Sequence, residues 1–341
     1  MQRFALIGAG FIGSVHAANL AAHRGIDFAL VFDVDRARAE AVAAEHGARA
    51  AASLDEVFDP GAIDAVLIAS STDTHAENLR RAADAGIAAF VEKPIDLDLA
   101  AARETVAYVE ASGIPAMVDF NRRFDRDHGE LQRLVRQGAV GAVELVQLTS
   151  RGPASPPLDY VRVSGGQMRD QTVHFFDLAR WITGEDPVEV FVAGSALADP
   201  RIEQFGDVDT SVATLRLAGG GLIQIDSVRR TGYGYDERIE VMGAAGLVES
   251  RRQQAGNVVR YSSRDAVADG LHAGWFERVR STYAAALASF VTSLDDGTTP
   301  AVTLEDGLKA QAIAEAAAAS LRSGRPEHVV YDAPLLKRTR M

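Results

Sequence analysis

The chain has 341 residues, of which 47 are Asp or Glu and 35 are Lys or Arg, giving a formal net charge of −12. A hydrophobic share of 47% with 24% charged residues excludes a disordered or collagen-like chain, and the length suits two domains of roughly 100 to 200 residues each. The acidic balance excludes a nucleic-acid partner, whose phosphates draw on clustered Lys and Arg; the pairs Arg229-Arg230 and Lys337-Arg338 are too short to reverse it.

From Arg3 to Phe120 the text alternates short apolar runs with Ala-rich helical stretches: FALIGA then Ser14 to Arg24, FALVFD then Arg36 to His46, AVLIAS then Thr74 to Gly86, AAFVE then Leu97 to Ser112. Strands that are apolar without alternation are buried on both faces, so this rhythm predicts a parallel sheet covered by helices, an α/β Rossmann-type domain over residues 1–121. Asp98 and either Asp73 or Thr74 are the predicted N-caps, and Gly86 and Gly113 the helix stops.

The rhythm then changes. A helix is predicted from Asp125 to Gln137, a strand from Val143 to Ser150, a Pro-rich loop RGPASPP and a helix from Asp170 to Thr183. Val190 to Ala196, Val212 to Leu217, Leu222 to Val228, Arg238 to Met242 and Leu247 to Ser250 read as strands with no helix between them, hence as an antiparallel sheet. Two Ala-rich helices close the pattern, near Trp275 to Leu294 and Glu305 to Ser323. The expected second domain, 122–341, is therefore α+β with a large, mainly antiparallel open sheet, and its last helices are expected to pack back on the first domain.

No stretch reaches the roughly 18 apolar residues of a membrane span, and the start MQRFALIGAG lacks a signal peptide's basic end and cleavage site, so no membrane contact and a cytoplasmic location are expected. With no Cys, redox chemistry must come from a bound cofactor.

Gly8, Gly10 and Gly13, with Phe11 and Ile12 between them, form G-x-G-x-x-G between a strand and a helix, the arrangement in which glycines admit a pyrophosphate to a helix N-terminus. Asp33 ends the next strand twenty residues beyond Gly13, where a carboxylate holds the adenosine ribose; followed by Val34 and Asp35 rather than Arg, it favours NAD over NADP. Ser70, Thr72 and His75 follow the AVLI strand, and Glu92-Lys93-Pro94 follows AAFV, at the sheet edge where such folds bind ligands. His75 reads equally as a surface residue starting a helix. Lys93 can hold a substrate oxygen as an alkoxide develops, or be a solvated charge. In the run Gly165 to Asp177, a regular helix puts Asp170, His174 and Asp177 on one face, the layout of a carboxylate-tuned general base, of a surface ion pair or, less readily without Cys or a second His, of a metal site.

GAGFIG, EKP and GG-x-x-x-D-x-x-x-H in this order resemble the Gfo/Idh/MocA family of oxidoreductases over essentially the whole chain. At Asp119 to Asp125, Val163 to Gly166, Gly206 to Thr210 and Tyr233 to Val241 the resemblance narrows to that family's inositol-oxidising branch. It implies NAD-linked oxidation of a ring secondary alcohol to a ketone, as in myo-inositol to scyllo-inosose, and assembly through the open sheet into homotetramers. By resemblance Lys93, Asp170 and His174 are catalytic, and they contact substrate together with Asn121, Arg122 and Tyr235; Glu92 and Lys93 also border the cofactor. No metal is implied. The branch carries an acidic residue after the histidine and S-R-D-P upstream, where this chain has Phe175 and Gly152. Another inositol isomer or a pyranose sugar is therefore the alternative substrate, and a catalytically silent dinucleotide sensor the alternative class.

Overall fold

The computed structural model describes residues 1–331; Lys337 and Arg338 lie outside them. Among the described residues the chain divides into two compact units, Met1–Asn121 with Thr282–Leu308, and Arg122–Ser281 with Lys309 to Tyr331.

The first unit runs β1 (Gln2–Ile7), α1 (Phe11–Ala22), β2 (Ile26–Phe32), α2 (Arg36–His46), β3 (Arg49–Ala50), α3 (Leu54–Val57), β4 (Ala65–Ile68), α4 (His75–Ala85), β5 (Ala88–Glu92), α5 (Leu99–Ser112) and β6 (Ala116–Asp119). Its six strands lie in the order β3-β2-β1-β4-β5-β6, every pair parallel. Phe4 to Ile7, Ala65 to Ile68 and Ala88 to Val91 are all buried, as continuous apolar strands between helix layers must be. β1 and β4 are neighbours at the centre, the point where strand order reverses and a crevice opens beyond the carboxyl ends. Asp98 caps α5 by accepting from the amides of Ala100 and Ala101, and Gly86 and Gly113 end α4 and α5 in the left-handed conformation. The start of α4 departs from expectation: neither Asp73 nor Thr74 caps it, because a 3₁₀ turn over Thr72–Thr74 precedes it and the Thr74 hydroxyl donates back to the Ser71 carbonyl.

The second unit continues with α6 (Arg126–Arg136), β7 (Val143–Arg151), α7 (Leu158–Val163), α8 (Val173–Thr183), β8 (Pro187–Ser195), β9 (Thr210–Leu217), β10 (Leu222–Val228), β11 (Asp236–Gly243), β12 (Gly246–Ser250) and an exposed hairpin of β13 (Val259–Tyr261) with β14 (Ala266–Ala268). After α9 (Trp275–Asp296) and α10 (Leu304–Ser323), which are shared between the units at Ser281 and Leu308, β15 (Glu327–His328) adds an edge strand. The seven-stranded order is β12-β11-β7-β10-β9-β8-β15. It is antiparallel throughout except that β7 and β10 run parallel, since β7 inserts between two strands that come far later in the chain. Val146, Leu148, Ala213, Leu215, Ile223, Ile225, Ile239 and Val241 face the core, while Gln147, Thr214 and Gln224 alternate onto an open face. The predicted helix over Asp170 to Thr183 is composite: Met168–Thr172 is a π-helical turn that leads into α8.

Candidate active site

At the nucleotide end of the first unit each glycine has a separate physical reason. Gly8 adopts φ +96°, and a Cβ there would lie 2.5 Å from the Ala69 carbonyl oxygen; a Cβ on Gly13 would lie 2.1 Å from the Gly8 oxygen. A Cβ on Gly10 would meet nothing within 4 Å, so the second glycine opens space at the start of α1 instead of serving protein packing. Phe11 opens α1 with its ring exposed, Ile12 follows it in the first turn, and no acidic residue opposes an anion at this helix N-terminus. Asp33 is fixed by two backbone donors, the amide of Ala9 at 2.7 Å and that of Asp35 at 2.8 Å. Glycine cradle and anchored carboxylate fit a dinucleotide.

The loops after β4 and β5 are braced from within. Ser70 shares a 2.6 Å hydrogen bond with Thr74 beside Thr72. His75 is not a surface residue: it is buried, with Nδ1 2.8 Å from the Pro94 carbonyl and Nε2 3.0 Å from that of Ser70. Glu92 likewise turns inward, accepting from His16 Nε2 at 2.9 Å, and the same nitrogen lies 3.7 Å from Asp119. Burial opposes ionisation of Glu92, but the hydrogen bond from His16 and the charges of His16, Lys93 and His75 outweigh it, so its carboxyl sits below the usual carboxylate value. Ligand atoms of His16, Glu92 and Asp119 come within 4.8 Å of one another, a spacing a cation could use, although a hydrogen bond already joins His16 and Glu92. Lys93 follows directly, half-buried at the strand end, and Asn121 is buried with its amide donating to Thr282 Oγ1 at 2.9 Å.

In the second unit Gly165 and Gly166, both with positive φ, lead into the π turn that carries Asp170, and His174 lies on the first turn of α8. The turn is pinned by Arg169 to Glu315 of α10. Asp170 accepts from the Tyr160 hydroxyl at 2.8 Å, and desolvation of that hydroxyl, on a side chain otherwise half exposed, together with the Asp170 charge pushes the phenol up. Asp177 does not join Asp170 and His174. It is buried against Arg123, which donates to it through Nε at 2.8 Å and through Nη2, and the π turn breaks the simple face the sequence implied.

Arg122 and Tyr235 are also committed to the protein. Arg122 donates to Glu237 at 3.2 Å and to the Tyr235 hydroxyl at 3.3 Å, while Tyr235 donates to Glu237 at 2.8 Å. Burial disfavours the Glu237 charge, but Arg122, His128 and Arg278 outweigh it and hold the carboxyl low. Sequence reasoning missed His16, Tyr160, Asp207 and Arg229; the Arg229-Arg230 doublet was the available signal for the last, although Arg229 is buried.

The fold and these half-sites define an NAD-binding oxidoreductase. Residues 2–120 match the model of the oxidoreductase family's NAD-binding Rossmann fold and residues 128–249 that of the GFO/IDH/MocA C-terminal domain. The chain belongs to the Gfo/Idh/MocA family. It is similar to an inositol 2-dehydrogenase of Rhizobium meliloti, 39% identical over 95% of this chain and 98% of the relative, and to a myo-inositol 2-dehydrogenase of Thermotoga maritima, 39% identical over 95% and 97%. A solved myo-inositol dehydrogenase of Corynebacterium glutamicum superposes with a TM-score of 0.91 at 36% identity, covering 97% of this chain and 99% of that one. Among the described residues no helix is long and apolar enough to cross a membrane.

Proposed function

We propose that this protein oxidises a ring secondary alcohol of an inositol to the ketone, with myo-inositol to scyllo-inosose as the leading reaction. The observation that carries the proposal is the Asp170–His174 segment, with Asp170 held by the Tyr160 hydroxyl and His174 buried, in the second unit of a chain whose 39%-identical relatives are inositol 2-dehydrogenases. Bound NAD supplies the hydride acceptor. His174 Nδ1 is sealed from solvent, so the imidazole takes the hydroxyl proton at Nε2. Asp170 orients that exchange, and the Lys93 ammonium stabilises the oxygen as it becomes alkoxide-like. Gly10 admits the pyrophosphate and Asp33 holds the ribose. Arg122 and Tyr235 act through the shape they impose, being hydrogen-bonded to Glu237 and to each other.

Following NAD reduction with myo-inositol, scyllo-inositol, chiro-inositols and glucose tests the reading. Rapid turnover with myo-inositol and weak turnover with NADP is the expected result, and His174→Ala should lose roughly 10²-fold or more in turnover while still binding NAD. Near-wild-type turnover by that variant rejects the assignment. A second reading, another inositol isomer or a pyranose, is favoured by Phe175, which is fully buried and offers no hydroxyl acceptor where the inositol-oxidising branch is expected to carry an acid.

The open sheet face exposes Phe191, Val212 and Leu222, and we assign it to assembly as a homotetramer, measurable by light scattering. The reaction belongs to the cytoplasm.

A further inference from the structure

The backbone brings three side chains around Asp170 of the π turn, each from a separate element of the second unit: Tyr160 from α7, Asp207 from the segment before β9, and Arg229 from the residue after β10. One carboxylate oxygen of Asp170 accepts from Tyr160 at 2.8 Å; the other faces Arg229 Nη2 at 3.8 Å. The same Nη2 is 3.5 Å from Asp207, whose other oxygen accepts from the Gln167 amide at 2.8 Å. Arg229 is 3% exposed, and its backbone amide donates to the Asp209 carbonyl at 2.8 Å. Gly166 is part of the device, since a Cβ there would stand 3.0 Å from Asp207.

A buried guanidinium shared by two carboxylates is a costly arrangement, and two apolar residues would stabilise a fold at least as well. Its specific effect is on direction: Tyr160 holds one Asp170 oxygen by a hydrogen bond, and the Arg229 charge 3.8 Å away attracts the other. We propose that Tyr160 and Arg229, the latter held by Asp207, are positioning residues that fix the Asp170 carboxylate for its work beside His174. This rests on the catalytic role proposed above for Asp170.

The test is a double-mutant cycle read in turnover at saturating NAD. Tyr160→Phe and Arg229→Gln should each lower kcat by about tenfold or more, and Arg229→Lys, which keeps the charge, should recover most of that loss. In an Asp170→Asn background the same substitutions should change kcat less than about twofold, because a residue that acts only through Asp170 has nothing left to position. NAD affinity should be unchanged in all of them. Equal losses in both backgrounds, or singles with wild-type kcat in an enzyme that needs Asp170, overturn the proposal. If Asp170→Asn itself turns over normally, the role proposed for Asp170 fails instead. Should Arg229→Gln fold poorly, Tyr160→Phe decides the question, since Tyr160 is 47% exposed.

Discussion

The guanidinium of Arg38, in the first turn of α2, stands 4.0 Å from the carboxylate of Asp33 at the end of β2. It also approaches Asp35, at 3.6 Å. On the proposed reading Asp33 both pairs with a ribose diol and repels a ribose phosphate, with a cation beside it. Asp33→Ser removes the repulsion and leaves Arg38 in place. The ratio of kcat/KM for NADP over NAD should rise by roughly tenfold or more, mostly through loss of NAD efficiency, as expected for a lost charge-assisted hydrogen bond. An unchanged ratio would show that Asp33 does not read the ribose.

The glycines separate packing from binding. Gly13→Ala forces a methyl against the Gly8 carbonyl and should destabilise the first unit by about 1–3 kcal/mol, seen in urea unfolding. Gly10→Ala meets no protein atom, so its unfolding midpoint should match wild type while NAD affinity falls. Normal NAD binding by Gly10→Ala would place the pyrophosphate elsewhere.

Glu92 makes stability depend on pH in a definite direction. Its carboxyl is held below the ordinary value of 4.5, so the folded state binds that proton less readily than the unfolded state. The stabilisation is fully present above the ordinary value and is lost as pH falls through the folded one. The stability gap between wild type and Glu92→Gln should therefore be widest near about pH 7 and close below about pH 4.5. Denaturant titrations across that range check it; a gap that stays constant on acidification contradicts a Glu92 carboxyl held low in the folded state.

Asp177 and Asp170 lie seven residues apart and should respond differently. Asp177→Asn leaves the buried Arg123 guanidinium without its counter-charge and should cost about 3–5 kcal/mol of stability. Asp170→Asn should leave the unfolding midpoint nearly unchanged and lower turnover. Equal stability losses would mean that Asp170, too, serves the fold.

The first unit was largely legible from sequence because its signals are local: continuous apolar strands, an Asp cap at α5, glycine stops and a glycine cradle whose spacing to Asp33 is fixed by one βαβ step. The second unit was legible as strands but not as a sheet, since inserting β7 between β10 and β11 depends on pairing across some eighty residues, and periodicity says nothing of partners. Site residues divided in the same way. Asp170 and His174 stand in a short motif, whereas Asp177, Arg122 and Tyr235 look equally polar in sequence and are claimed by Arg123 and Glu237, partners that only the fold brings near. The burial of His75 is not legible in sequence because its two carbonyl partners, at Ser70 and Pro94, come from loops after different strands.

Phe290 of α9 stacks on Phe90 of β5 at 5.5 Å between ring centres and meets Phe4 of β1 edge-on at 6.3 Å, and all three rings are fully buried. The nucleotide-binding unit thus has its strands made well before α9, yet lacks part of its core until position 290 has emerged. While the intervening chain is made, Phe4 and Phe90 remain uncovered. A fragment ending at residue 121 inherits that exposed aromatic surface permanently, and should be recovered as aggregate or bound to chaperone rather than as a free nucleotide-binding domain.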